Sequence, residues 1–373
     1  MATANEILAD EAIRHAIDLL RYENGVVERM IALLRGMDRD LVARILAALE
    51  DLPADSFTVQ RLDTLLRSVR ELNVAAHERL GKALEVELLE LTRYESGYQE
   101  SLFRETIPEP ILANITVATV SAERVYAAAM AQPFQGRLLR EWVKTVEQTT
   151  YLRVRDELRM GYAESQTINE MVRRVRGTRS LNYADGVLSN VRRRQVEAVV
   201  RTATSHFAGF AQDRFYEANA DIVGEVQWVS TLDTRTSEMC RIRDGLRYQN
   251  TDEHKPVGHR VPWLSGPGRL HWNCRSRQKA LLKTWRELGI ESDQLSATTR
   301  ASMDGQVPAQ TTYAEWLKRQ SAARQDDILG ATRGKLMREG GLTMDRFYND
   351  KGRWLTLDEL RKRDAEAFRR AGV

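Results

Sequence analysis

Apolar side chains recur at every third or fourth position over most of this 373-residue chain, and only 8 prolines interrupt them. That spacing lines one face of an α-helix, so most of the chain has to fold as helices that bury a stripe against one another. Ile7, Ala12, Ile13, Ala16, Leu19 and Leu20 form one stripe, which Val26, Val27, Met30, Ile31 and Leu34 continue. A break is expected at Gly36-Met-Asp-Arg-Asp, after which Leu41, Val42, Ile45, Leu46 and Leu49 make the next stripe. Pro53 should end that helix and a turn should restart one near Thr58, since proline lacks the N–H a helix interior needs. Residues 58 to about 104 read as a further antiparallel pair of helices.

Pro108 and Pro110 bracket a short break. From Ile111 to Met130 the chain is rich in alanine and valine, which suits a tightly packed internal helix or an oligomer contact. A helix is expected from Trp142 to Met160, a stop at Gly161, and a restart that ends at Gly177. Another runs from about Arg192 to Asn219. Helical periodicity then stops at Ile222, where Val223-Gly-Glu-Val-Gln-Trp-Val229 alternates like a short strand. Beyond the irregular stretch that follows, a helix is expected over Leu281–Leu288, then a polar linker from Glu291 to Gln310, then a helical tail from Tyr313 that docks on the core or on a partner. The expected fold class is mainly α: long helices in the N-terminal and central regions, a small α+β module at about 222–280, and a helical C-terminal tail. The corresponding divisions are 1–110, 111–221, 222–290 and 291–373.

The irregular stretch gathers both cysteines, Cys240 and Cys274, and His254, His259 and His271 from a total of 6 histidines. Thiolate and imidazole are the preferred zinc donors, and a structural site needs four. Cys240, His271 and Cys274 supply three, and the two-residue gap between His271 and Cys274 lets one turn aim both at a single point. The fourth could be His259, His254, Asp233 or water. Two other readings stay open: buried thiols beside a His271 that bonds a loop carbonyl, or a disulfide formed late in an assembled particle. Asp233, Thr236, Asp244 and Gly245 have a plainer role, pinning turns through side-chain hydrogen bonds and a left-handed backbone.

Formal net charge is only +3, so the whole-molecule field does not announce a nucleic-acid partner. Charge is locally uneven, however. Between Arg173 and Arg201, arginines 173, 174, 176, 179, 192, 193, 194 and 201 face only Asp185 and Glu197. That is either a solvated helix face or a patch for phosphate or an acidic partner. No apolar run approaches a membrane span, the start lacks a signal-peptide pattern, and two cysteines make no disulfide framework, so a reducing cytoplasm is expected during synthesis. No nucleophile elbow, phosphate-cradling loop or metalloprotease helix motif is present, and the expectation is that the chain is not an enzyme.

Trp228, Asp233, Thr236 and Cys240, then Asp244 and Gly245, then Pro267, His271, Cys274 and Arg275 together resemble the signature of the phage head morphogenesis family, the Mu protein F-like minor head proteins. The helical lead-in at Gly161–Val172 and Arg201–Ser205 is similar, as is the tail Tyr313–Gly330. The likeness runs from roughly Gln132 to Leu360. Many members carry further cysteines at the positions of Ser237 and Ser276, so a four-thiol site is absent here while a mixed site of Cys240, His271 and Cys274 survives. The resemblance implies a non-enzymatic minor component of the virion, assembled in the host cytoplasm and placed in the capsid interior or at the portal vertex. Its implied partners are the portal protein, major capsid or scaffold proteins, further copies of itself and packaged DNA, with Arg173, Arg174, Arg176, Arg192, Arg193 and Arg194 as candidate DNA contacts. The alternatives are a metal-dependent hydrolase built on Cys240, His271 and Cys274, or a DNA-binding assembly factor.

Overall fold

The computed structural model describes residues 4–50, 59–164, 166–181, 183, 185–188, 190–284, 287–288, 299–302, 305–308 and 311–373. Among these, thirteen α-helices and a small four-stranded antiparallel sheet make the protein mainly α, as expected. The first two helices, α1 (Ala4–Glu50) and α2 (Val59–Thr106), are each unbroken. The break expected at Gly36 and the pair of helices expected over residues 58 to about 104 are both corrected by the phase of the apolar stripe. Leu34, Met37, Leu41 and Ile45 stay buried straight past Gly36, and Leu80, Leu84, Leu88 and Leu91 do so past Gly81. A single helical glycine costs only about 1 kcal/mol relative to alanine, which continuous burial on both sides outweighs. Pro53 and Thr58 lie outside the described residues.

The alanine- and valine-rich segment is also not one helix. After the short α3 (Glu109–Leu112) the chain is extended until α4 (Ala122–Ala131). The β-branched run Ile115, Thr116, Val117, Thr119 and Val120 favours extension. Asn219 holds it there, accepting from the Ala118 N–H at 2.7 Å and donating to the Ala118 carbonyl at 3.1 Å. Helix α5 (Leu139–Ala163) runs through Gly161, and Thr167 caps α6 (Ile168–Arg176) with Glu170 completing the box. A Cβ at Gly161 would sit 2.5 Å from Met171 Cγ, so glycine there allows α5 and α6 their close approach. Helix α7 (Asn190–Ala218) is buried without a break from Thr202 to Asp213.

Two compact units emerge. One comprises Met1–Leu20, Tyr94–Val125 and Ala208–Val373, the other Arg21–Arg93 and Tyr126–Phe207. In the second unit Leu41, Ile45, Leu65, Val69, Val154, Leu158 and Val175 meet in one aliphatic core. A cleft of about 1100 Å³ there is lined from α2 and α5, by His77, Lys82, Val143 and Tyr151 among others, and holds none of the predicted site residues.

The first unit contains the sheet, in the order β3 (Pro256–Val257), β2 (Arg247–Gln249), β1 (Val223–Val229), β4 (Arg277–Leu282). Val226 pairs with Tyr248 on one side and Ala280 on the other. Leu281 and Leu282 therefore belong to a strand rather than to the helix expected at 281–288; a short apolar run fits either, and pairing with β1 decides it. Within the expected linker, Thr299–Ser302 (β5) and Gly305–Pro308 (β6) form a hairpin, while 289–298 lie outside the described residues. One turn of helix, α8 (Glu238–Arg241), sits between β1 and β2.

The tail folds as α9 (Tyr313–Lys318), α10 (Ala322–Leu329), α11 (Ala331–Arg338), α12 (Leu357–Arg363) and α13 (Ala365–Ala371). It docks on the core, as one of the two sequence readings had it. Tyr313, Trp316, Leu317, Leu336 and Phe347 bury themselves with Leu232 of the module. The Tyr313 hydroxyl donates to the Asp233 carbonyl at 2.8 Å, Tyr348 to the Glu238 carbonyl at 3.0 Å, and Arg241 to the Ile328 carbonyl at 2.9 Å. None of the described helices is long and apolar enough to cross a membrane.

Candidate metal centre

Two loops converge at the edge of the sheet. The first leaves β1 after Val229; Trp228 in that strand is fully buried and T-stacked on Trp263 with ring centroids 5.4 Å apart. Ser230 turns it, donating from its hydroxyl to the Cys240 carbonyl at 2.9 Å. Asp233 accepts from the backbone N–H groups of Arg235 and Thr236, both at 3.0 Å, which closes the turn that precedes α8. Ser237 then caps α8, and Cys240 projects from it. The loop returns through Asp244, whose carboxylate accepts from the Ser230 N–H at 2.7 Å and from the Tyr313 N–H at 2.8 Å. Gly245 follows in a left-handed conformation (φ +81°), with its N–H on the Trp228 carbonyl at 2.9 Å.

The second loop enters β4 through His271-Trp-Asn-Cys274. Asn273 takes a left-handed backbone (φ +56°), a conformation asparagine tolerates better than most residues, and the Cys274 N–H closes on the His271 carbonyl at 3.2 Å. One turn thus presents both side chains to the same point, as their spacing predicts. Arg275, next to Cys274, grips both Asp233 oxygens at 2.5 and 2.8 Å and so fastens the two loops together. Burial would raise the Asp233 carboxyl, but the Arg275 guanidinium overrides it and holds the group below its usual range.

At the meeting point Cys240 Sγ lies 3.7 Å from Cys274 Sγ and 3.3 Å from His271 Nε2. The three donor atoms are all within 4.8 Å of one another. Zinc bonds of about 2.3 Å to sulfur and about 2.0–2.1 Å to nitrogen place neighbouring corners of a tetrahedron about 3.5–3.8 Å apart. The group already approximates one face of such a tetrahedron. His271 Nδ1 lies 2.9 Å from the Trp272 carbonyl, and donation there leaves the Nε2 lone pair facing the sulfurs. Neither thiol is in a disulfide and both are buried, at 2% and 1% exposure, while His271 is half-buried. A hydrogen bond from Cys240, opposed by burial and helped by His271, pulls Cys274 well below the ordinary thiol range. The same bond, with burial, pushes Cys240 well above it. A Cys-His-Cys group close enough to bind a metal is therefore built into the fold.

The other candidate ligands are engaged elsewhere. His259 Nε2 sits 2.8 Å from the Arg247 carbonyl and its Nδ1 accepts from the Val261 N–H at 3.2 Å. It lies outside the donor group, which corrects the sequence assignment; its ring packs edge-on against Tyr248. His254 stacks flat on Trp263 at 4.4 Å, and Asp233 is held by Arg275. Sequence reasoning missed Arg243, whose guanidinium is buried over Trp228 and bonds the Met239 and Pro262 carbonyls. Nothing in the pattern around it distinguishes it from a surface arginine.

The candidate DNA contacts divide. Arg173, Arg176, Arg193 and Arg194 are exposed, although Arg176 stacks on Tyr183 at 4.6 Å. Arg174 is drawn instead into ion pairs with Glu157 and Glu164. The Arg192 side chain lies outside the described residues.

Comparison with known families bears on both the loops and the arginines. Residues 134–279 match the family model described as phage Mu protein F like protein. This segment is Mu F-like. The matched stretch runs from just before α5 into β4 and includes Cys240, His271, Cys274 and the arginine-rich segment. The match agrees with the resemblance carried by the signature residues, and it ends before the tail. No curated protein and no solved structure matches the chain.

Proposed function

We propose that the protein is a non-enzymatic minor head protein of a tailed phage or prophage, associated with the portal and acting in head assembly, DNA packaging or genome delivery. The Mu F-like match over residues 134–279 carries this reading. Its site of residence is the virion, in the capsid interior or at the portal vertex, and its partners are the portal and major capsid or scaffold proteins. The Cys240, His271 and Cys274 donors hold zinc, whose part is to lock two loops rather than to activate water. Burial of both thiols supports a structural role. The exposed Arg173, Arg176, Arg193 and Arg194 touch packaged DNA through phosphates, an interaction that weakens as salt rises.

Sedimentation of particles from a producing lysate, washed in high salt, tests the role. The protein is expected to remain with particles that contain portal and to be lost from portal-less ones. Its recovery wholly in the free fraction would overturn the assignment.

A further inference from the structure

Three donors leave a tetrahedral ion one position short, and the geometry points to the Ser237 hydroxyl as the group at that position, a conclusion that rests on the metal reading above. Ser237 Oγ lies 2.8 Å from His271 Nε2, the atom that also faces Cys240 Sγ at 3.3 Å. It is held there by its own backbone role. As N-cap of α8 it accepts from the Cys240 N–H at 3.3 Å, so the turn that aims the first thiol aims the hydroxyl as well.

The competing groups are fixed in other bonds. Both ring nitrogens of His259 face the backbone, His254 is stacked on Trp263, and both Asp233 oxygens meet Arg275. Ser276 also hydrogen-bonds Cys240, but it is more deeply buried than Ser237 and its hydroxyl is shared with that of Ser230 at 3.3 Å. Ser237 and His271 form the half-exposed side of the group, through which an ion and its departing waters can pass.

The charge balance fits a divalent, thiophilic cation. Two thiolates neutralise it, and a neutral imidazole with a neutral hydroxyl completes four donors without leaving net charge in a largely buried site. A hydroxyl is a weaker donor than a thiolate, so this corner is the exchangeable one.

Cobalt(II) is a suitable probe, added to the full chain and followed by its absorption, with Zn²⁺ as competitor. The wild-type protein is expected to bind one Co²⁺ with the visible bands of tetrahedral coordination. Ser237→Cys should bind more tightly by about tenfold or more, since a soft thiolate replaces a weak donor. Its thiolate-to-cobalt charge-transfer band should rise by about half as two sulfur ligands become three. Ser276→Cys should leave that band unchanged. An unchanged band in Ser237→Cys, or a gain in Ser276→Cys instead, would overturn the assignment of Ser237. If the wild type takes up no Co²⁺ at all, the metal reading itself fails, and the fourth ligand with it.

Discussion

The aliphatic core of the second unit and the Cys/His module of the first are stabilised in opposite ways. In the former, Leu41, Ile45, Val69, Val154, Leu158 and Val175 share burial among many side chains, each of modest weight. In the latter, order rests on a few polar pins: Asp233 with Arg275, Ser230 with Cys240, Asp244 with two backbone donors, and the thiol-imidazole group itself. The first kind degrades gradually under substitution. The second depends on each member, because a removed partner strands groups already out of water.

Asp233→Ala should expose that difference most strongly. It leaves the Arg275 guanidinium and the Arg235 and Thr236 N–H groups without their acceptor. A cost of about 3 kcal/mol is expected, the lower end of the range for breaking a buried pair because both side chains keep some exposure. Chemical denaturation would measure it, and a loss under about 1 kcal/mol would show the pins to be dispensable. The smallest effect involves Glu217, a half-buried carboxyl that burial, with help from Asp213 and Asp252 and against Arg214, raises to about 7. An acid with a raised folded value favours its protonated form. Its contribution is fully present below the ordinary 4.5 and is lost as pH climbs through about 7. Glu217→Gln should therefore gain on the wild type between pH 5 and pH 8, by about 2 °C in Tm once solvent screening is allowed for. Parallel Tm profiles across that interval would contradict it.

Much of the fold was legible because helices write their burial into a 3.6-residue rhythm. Where the sequence reading failed, a local sign had been weighed above that rhythm, as with Gly36, or the rhythm was too short to be decisive, as at Leu281 and Leu282. The Cys-His-Cys group was legible because its donors are rare residues and two of them share one turn. His259 misled because imidazole is a donor by type, whereas tertiary contacts decide what its nitrogens face. Ser237 was read only as a position where relatives carry cysteine, and its place beside His271 Nε2 depends on how α8 begins. Arg174 looked like its neighbours until Glu157 of α5 and Glu164, just after it, came to lie across from it.

Hydrogen exchange on the full chain, with zinc and then with a chelator, tests the central contrast most directly. The account predicts that amides around Ser230–Gly245 and His271–Arg277 lose protection when metal is removed, while those of Leu139–Ala163 keep theirs. Equal protection in both conditions, or a uniform loss that includes α5, would contradict it.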